Sequence, residues 1–414
     1  MKLLKSLKAH GVSHWMIMMP LISSSVCEGG FSSERKDFEA LAGLVEAPAM
    51  EEATGFDSSE DLKAIYFEGL DYKGKPTKVF AWLGMPEVKA GKAGKIPAKV
   101  PAMVLVHGGG GTAFKDWVQR WNKRGYAAIS IAVEGQTDKR SEDGESWRKH
   151  EWAGPSRVGI YGDAKEEFKD QWMYHAAADT ILAHSLIRSL PRVDADKVGL
   201  MGISWGGVIT STVIGLDDRF AFAIPTYGCG DLSEAQNQYG KSLANNSTYK
   251  EVYDPLLRFD KVKMPTLWFS WPEDKHFPMD KFANSYKAVS GSYAVSLIPK
   301  MGHGHGPPWG KPDSYAFAES ITEHGKPWCR QESLEREGNK VVVIFESSEP
   351  LREPVLVYST NEGITGQRKW LEVIAMGTKK GNAYTVQANL PEGVTGWFVN
   401  VKCGELTMSS DYKQ

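Results

Sequence analysis

Short, nearly unbroken apolar runs punctuate the middle of the chain: Ala102 to Val106, Tyr126 to Val133, Lys197 to Ile203, Phe220 to Thr226, Pro265 to Trp271 and Tyr293 to Ile298. Strands buried on both faces of a parallel sheet have this texture. Between them the period changes. DWVQRWNKRG places apolar residues at helical spacing and stops at Gly125, and DQWMYHAAADTILAHSLIRSLP predicts a long helix from about Asp170 to Leu190, closed by Pro191. After Ile203, GGVITSTVIGL continues as a further helix. Upstream, Ala64 to Leu70 and Thr77 to Leu83 read as a hairpin joined by DYKGKP. Strands that alternate with helices predict an α/β fold, a mostly parallel sheet with helices on both faces.

From about Gln331 the texture changes again. VVVIF, PVLVYST, KWLEVIAM, AYTVQANLP and GWFVNVK are strand-like runs separated by Gly, Asn and Pro turns, which predict a small all-β sandwich. The organisation read from the sequence is therefore a leader over residues 1–30, an α/β domain over 31–330 and a β-sandwich over 331–414. Within the α/β domain, residues 137–168 form a charged segment too long for an ordinary connection, expected to cap a site. The lysine-rich VKAGKAGKIPAKVP reads as a solvated surface loop.

A net charge of -2 gives no electrostatic footprint for nucleic acid, and 42% hydrophobic with 24% charged residues is ordinary for a globular protein. The first residues combine Lys2, Lys5 and Lys8 with an apolar run from Trp15 to Ile22 and small residues up to Cys27. That pattern predicts export to the periplasm or beyond, with Cys27 as a candidate lipidation point, and the run is too short for a membrane span. Cys229, Cys329 and Cys403 have neither zinc-site nor disulfide-framework spacing. No cofactor or metal is expected, although His303, His305 and His276 admit a competing metal reading. The sequence leaves the oligomeric state open.

The chemistry enters at GISWGG, Gly202 to Gly207. Gly-x-Ser-x-Gly between a strand and a helix is the pattern of a nucleophile elbow, and Ser204 then needs a histidine to take its proton and a carboxylate to orient that histidine. Both follow in the order Ser, acid, His at the carboxyl ends of later strands. PEDKHFP offers Asp274 and Glu273, and PKMGHGHGPPW offers His303 and His305. Oxyanion donors are expected from the Trp205 amide and from HGGGG, with Gly109 and Gly110 as candidates. Trp271, Trp309 and His107 flank these loops and are candidates for substrate contact, while Trp370 and Trp397 read as core anchors of the sandwich. His175 and His184 lie on the long helix and read as structural.

With these residues in place, the chain resembles the bacterial α/β hydrolases related to acetyl xylan esterases and cephalosporin-C deacetylases. The resemblance runs from about Asp71 to Pro327 through GKPTKVFAWLGMP, PAMVLVHGGGGTAF, WNKRGYAAI, DQWMYHAAAD, LAHSLIRSLPRVDADKVGLMGISWGG, GLDDRFAFAIPTYGCG and MGHGHGPPW. It implies an α/β-hydrolase fold, ester hydrolysis through an acyl-serine, and Ser204, Asp274 and His303 as the triad. Two departures stand out: Trp271 opens the acid loop where the family has glycine, and Glu134, Gly135 and Gln136 stand where sugar-acting relatives carry Arg-Gly-Gln. The expected function is a serine esterase acting on acylated carbohydrate, acetyl groups first, whether as small-molecule or polysaccharide ester. A serine peptidase of the prolyl-oligopeptidase type and a non-catalytic carbohydrate-binding protein are the alternatives.

Overall fold

The computed structural model describes residues 28–87 and 99–414. Residues 1–27 of the expected leader, Cys27 among them, and most of the lysine-rich loop lie outside these residues. Helix α1 (Glu28–Glu39) precedes β1 (Met50–Glu52), β2 (Leu62–Glu68), β3 (Lys78–Gly84), β4 (Val100–Val106), α2 (Lys115–Asn122) and β5 (Ala127–Ile131). A two-stranded ribbon, β6 (Gln136–Arg140) and β7 (Trp147–Lys149), opens the cap segment. The chain then runs through α3 (Trp172–Ser189), β8 (Val193–Ile203), α4 (Trp205–Val213), β9 (Phe222–Thr226), α5 (Gln238–Leu243), β10 (Thr266–Ser270), α6 (Met279–Ala288), β11 (Tyr293–Leu297) and α7 (Asp313–His324).

Nine strands form one sheet in the order β1-β2-β3-β5-β4-β8-β9-β10-β11. The predicted hairpin is β2 against β3, with Leu62 opposite Gly84 and Glu68 opposite Lys78. From β5 onward every pair is parallel. The order reverses around β4, whose neighbours are β5 and β8, and ligands in open α/β sheets bind at the carboxyl ends of strands at such a switch. The HGGGG loop leaves β4 and Ser204 leaves β8, so this topology alone sets donor loop and nucleophile side by side. Helix α3 is buried along nearly its whole length, its polar His175, Asp179 and His184 included.

The remaining strands are β12 (Cys329–Glu337), β13 (Lys340–Ser347), β14 (Arg352–Ser359), β15 (Leu371–Ile374), β16 (Met376–Lys380), β17 (Ala383–Asn389), β18 (Gly396–Cys403) and β19 (Leu406–Ser409). They make two four-stranded antiparallel sheets, β12-β13-β17-β16 and β15-β14-β18-β19. KWLEVIAM, read as one strand, divides at Ala375, whose amide turns to the Pro354 carbonyl at 2.9 Å, and its halves join different sheets. Strand β12 escaped the pattern because CRQESLERE is mostly polar, its far face being solvent-exposed. Trp370 and Trp397 are 9% and 1% exposed and sit in the sandwich core.

An edge strand leaves a row of unpaired backbone groups, and the sandwich covers that of β11. The Leu297 amide donates to Ser409 Oγ at 2.8 Å and the Leu297 carbonyl accepts from Asn400 Nδ2 at 2.9 Å. Asp313 pins the same seam, its Oδ1 accepting from Ser296 Oγ at 3.0 Å and from the Thr407 amide at 2.7 Å. The three cysteines beyond the leader are buried free thiols. No described helix is long and apolar enough to cross a membrane.

Candidate active site

Ser204 holds φ 61° and ψ -116°, a conformation that non-glycine residues rarely adopt. The strain is held by its surroundings. The Ser204 amide donates to the Thr226 carbonyl at 2.9 Å, and its carbonyl accepts from Val208 at 3.0 Å as α4 begins. The flanking glycines are there for close approach: a Cβ on Gly202 would lie 2.0 Å from the Gly206 carbonyl oxygen, and one on Gly206 would lie 2.1 Å from that of Val106. The predicted strand–elbow–helix is thus present.

His303 Nε2 lies 3.0 Å from Ser204 Oγ, and His303 Nδ1 lies 2.8 Å from Asp274 Oδ2. Asp274 is fully buried, and its Oδ1 accepts from the His276 and Phe277 amides at 2.8 and 3.0 Å. Trp271 Nε1 adds a donor to Oδ2 at 3.2 Å. A buried carboxylate tolerates its charge when so surrounded by donors. Glu273 turns the other way and accepts from the Lys300 amide at 3.4 Å, its carboxyl raised by partial burial. Tyr227, at φ 67°, stacks its ring 4.5 Å from that of His303 and donates its hydroxyl to the Gly302 carbonyl at 2.7 Å.

His305 Nε2 accepts the Gly108 amide at 3.0 Å, with its ring 5.2 Å from Phe114 and 5.9 Å from Trp117. It anchors the glycine loop and is not the group against Ser204. His276 sits at the mouth, its ring 4.7 Å from that of His303 and its Nδ1 2.9 Å from Gln238 Nε2. The three histidines therefore point to different partners, and among the described residues no cluster of His, Cys, Asp or Glu is arranged to hold a metal.

Gly109 lies against Trp205 and Arg157: a Cβ there would meet Trp205 Cδ1 at 3.1 Å and Arg157 Nη2 at 2.8 Å. The Gly109 amide makes no hydrogen bond among the described residues, and the Trp205 amide, first in α4, has no acceptor within its helix. Gly110 is exposed at φ 71°, and its carbonyl accepts from Trp147 Nε1 of the two-stranded ribbon at 2.9 Å.

The candidate substrate contacts divide. His107 is 1% exposed, with Nδ1 on the Gly108 carbonyl at 2.7 Å and Nε2 accepting from the Val133 amide at 3.1 Å. Burial drives its pKa down to about 3, consistent with a neutral ring that braces the glycine loop. Trp309 is 7% exposed and packs 4.9 Å from Trp117. Neither ring is available to a substrate; both serve the loops. Trp271 keeps a partly exposed ring, and the ring of Trp205 is buried among Tyr161, Trp172 and Tyr239, each 5.6 Å away.

Several further residues shape the site. Gln136 ties His107 Nε2 and the Gly111 carbonyl together, both at 3.0 Å. Arg157 of the cap pairs with Glu134, Nε to Oε1 at 3.4 Å, and lays its guanidinium 5.0 Å from the Trp205 ring. Asn237 Nδ2 donates to the carbonyls of Lys275 and His276 at 3.0 and 2.9 Å, holding the acid loop from the α5 side. Only Glu134 and Gln136 were visible beforehand, as a departure from Arg-Gly-Gln.

A model of the acetyl xylan esterase family matches residues 38–264. Among solved structures, acetyl xylan esterase 1 from Thermoanaerobacterium sp. JW/SL YS485 superposes with a TM-score of 0.52 at 19% identity, over 66% of this chain and 88% of that one. The acetyl xylan esterase from Paenibacillus sp. R4 superposes with a TM-score of 0.50 at 20% identity, over 67% and 90%. At these identities the likeness is one of fold, the α/β-hydrolase fold. A curated relative, dipeptidyl aminopeptidase BIII of Pseudoxanthomonas mexicana, is 25% identical over 271 residues, 59% of this chain. The matched region spans only 35% of that peptidase's length.

Proposed function

The chain belongs to the acetyl xylan esterase family, and from that premise we propose that it is a serine esterase that removes acyl groups, acetyl first, from carbohydrate. The observation that carries the reading is the relay from Ser204 Oγ to His303 Nε2 at 3.0 Å and from His303 Nδ1 to Asp274 at 2.8 Å, mounted on a strained elbow. Ser204 attacks the ester carbonyl as its proton passes to His303 Nε2, whose ring Asp274 orients. The negative charge that develops on the carbonyl oxygen is met by the Trp205 and Gly109 amides. His303 then protonates the departing sugar alkoxide, leaving acyl-Ser204, and by the same route activates the water that frees the carboxylic acid and restores the serine.

In the test, a fluorophosphonate probe should label the wild type at Ser204, and Ser204→Ala should abolish both labelling and acetate release from acetylated oligosaccharide. Undiminished acetate release in that variant would sink the assignment. The match to a dipeptidyl aminopeptidase favours a second reading, peptide-bond cleavage by the same triad. Faster turnover of dipeptide amides than of short-chain esters would place that reading first. Export is part of the proposal, and mass spectrometry of the mature protein would locate its first residue.

A further inference from the structure

We infer that Gly366 and Thr365 of the C-terminal sandwich position the acid of the triad, making the added domain a working part of the active site. The inference rests on the reading of Ser204, His303 and Asp274 as that triad. Apart from its contact with His303, the bonds that hold the Asp274 carboxylate come from its own loop, at His276, Phe277 and Trp271. They fix the side chain to the loop, so the carboxylate is only as well placed as the loop itself.

The outer side of that loop is closed by a short 3-10 turn, Thr365–Gln367, between β14 and β15. A Cβ on Gly366 would lie 2.0 Å from the Asp274 carbonyl oxygen, 2.4 Å from its carbonyl carbon and 2.7 Å from the Lys275 nitrogen. These are backbone atoms, so no side-chain rotation relieves the overlap; the peptide after the acid rests directly on the glycine. Its neighbour Thr365 is 2% exposed, and its Oγ1 accepts the Met279 amide at 2.8 Å. That amide is the first of α6, which follows the acid loop and has no side-chain cap of its own at Pro278. The N-cap of the helix is therefore supplied from the other domain.

The turn is tied in turn to the sandwich core. Trp370 Nε1 donates to the Thr365 carbonyl at 3.1 Å, and the Trp370 ring lies 5.8 Å from Phe398 and 6.0 Å from Tyr412. The Tyr412 amide donates to the hydroxyl of Tyr286 on α6 at 2.7 Å, closing the circuit. The family match ends at residue 264, before both the acid loop and the sandwich, so nothing in it accounts for this contact. An acid loop that opens with Trp271 is here supported from outside.

The test measures kcat and KM for 4-nitrophenyl acetate, with thermal unfolding alongside, in Gly366→Ala, Thr365→Val and Thr365→Ser, each in the full chain with and without Asp274→Asn. Misplacing a reacting group by about 1 Å costs on the order of a hundredfold, so Gly366→Ala should lower kcat by about ten- to a hundredfold with little change in KM. Thr365→Val should lower kcat severalfold, and Thr365→Ser, which keeps the oxygen, should restore it. In the Asp274→Asn background none of the three should matter further, because their effect passes through the carboxylate. Equal losses in both backgrounds would overturn the inference, as would unchanged kcat in folded Gly366→Ala or, should that variant not fold, in Thr365→Val. Wild-type turnover in Ser204→Ala would instead remove the triad reading on which the inference rests.

Discussion

His305 Nε2 accepts the backbone N–H of Gly108 at 3.0 Å, while His303, two residues earlier, faces Ser204. The His-Gly-His stretch thus ties the proposed base and the proposed oxyanion loop to one turn. Protonation of His305 would remove the acceptor, and burial, with a smaller contribution from His303, lowers its pKa. His305→Ala should free the glycine loop and lower kcat by about tenfold, less than the hundredfold or more that follows loss of an oxyanion donor itself. Steady-state kinetics with a short-chain ester, at unchanged fluorophosphonate stoichiometry, is the check.

Arg157 and Glu134 latch the cap to the end of β5, each with a side chain 19% exposed. Burial raises the Glu134 carboxyl and Arg157 offsets it. Arg157→Ala leaves that carboxyl without its partner and uncovers Trp205, so kcat/KM should fall by about tenfold, mainly through KM. Glu134→Gln should cost less, and the double variant should be no worse than Arg157→Ala alone, with coupling above about 0.5 kcal/mol. Additive losses would show that the two act separately.

Asp179 on α3 is 8% exposed, and its carboxyl makes no hydrogen bond among the described residues. Burial pushes its pKa up to about 8. The folded state keeps a proton that the unfolded chain releases near about pH 4, so this group's contribution falls as pH climbs from there. It is lost in full once pH has risen through about 8. Asp179→Asn should stabilise the protein at pH 8 by about 1 to 3 kcal/mol. Urea unfolding of both forms between pH 5 and 8 should show the advantage growing with pH.

His184 behaves in the opposite sense. Its Nδ1 lies 2.8 Å from Asp217 and its ring stacks 3.6 Å from Phe220, and burial lowers its pKa to about 4. The unfolded chain takes up this proton near about pH 6.5, so the contribution is present above that and is lost as pH falls. The loss is complete below about 4. Relative to His184→Asn, which can still donate to Asp217, the wild type should lose about 1 to 3 kcal/mol over that window. A difference independent of pH would disprove the neutral, buried ring.

What the sequence determined by itself was whatever is encoded locally. The apolar runs specified β4, β5, β8, β9, β10 and β11 to within a few residues, and alternation with helices specified a parallel sheet. The elbow at Ser204, with acid and histidine in order after it, followed from single loops at strand ends. The polar strand β12 and the division of KWLEVIAM at Ala375 did not, because their partners lie far away along the chain.

The tertiary structure set His303, already the expected base, 3.0 Å from Ser204 and turned His305 to the Gly108 amide, since two residues on one turn differ only in where their rings point. It turned His107 and Trp309 from substrate contacts into loop supports, because burial is set by segments distant in sequence. It also brought Gly366, in another domain, against the carbonyl of Asp274. Such a contact leaves no periodic trace: a glycine in a turn reads the same whether it faces solvent or carries the weight of an active-site loop.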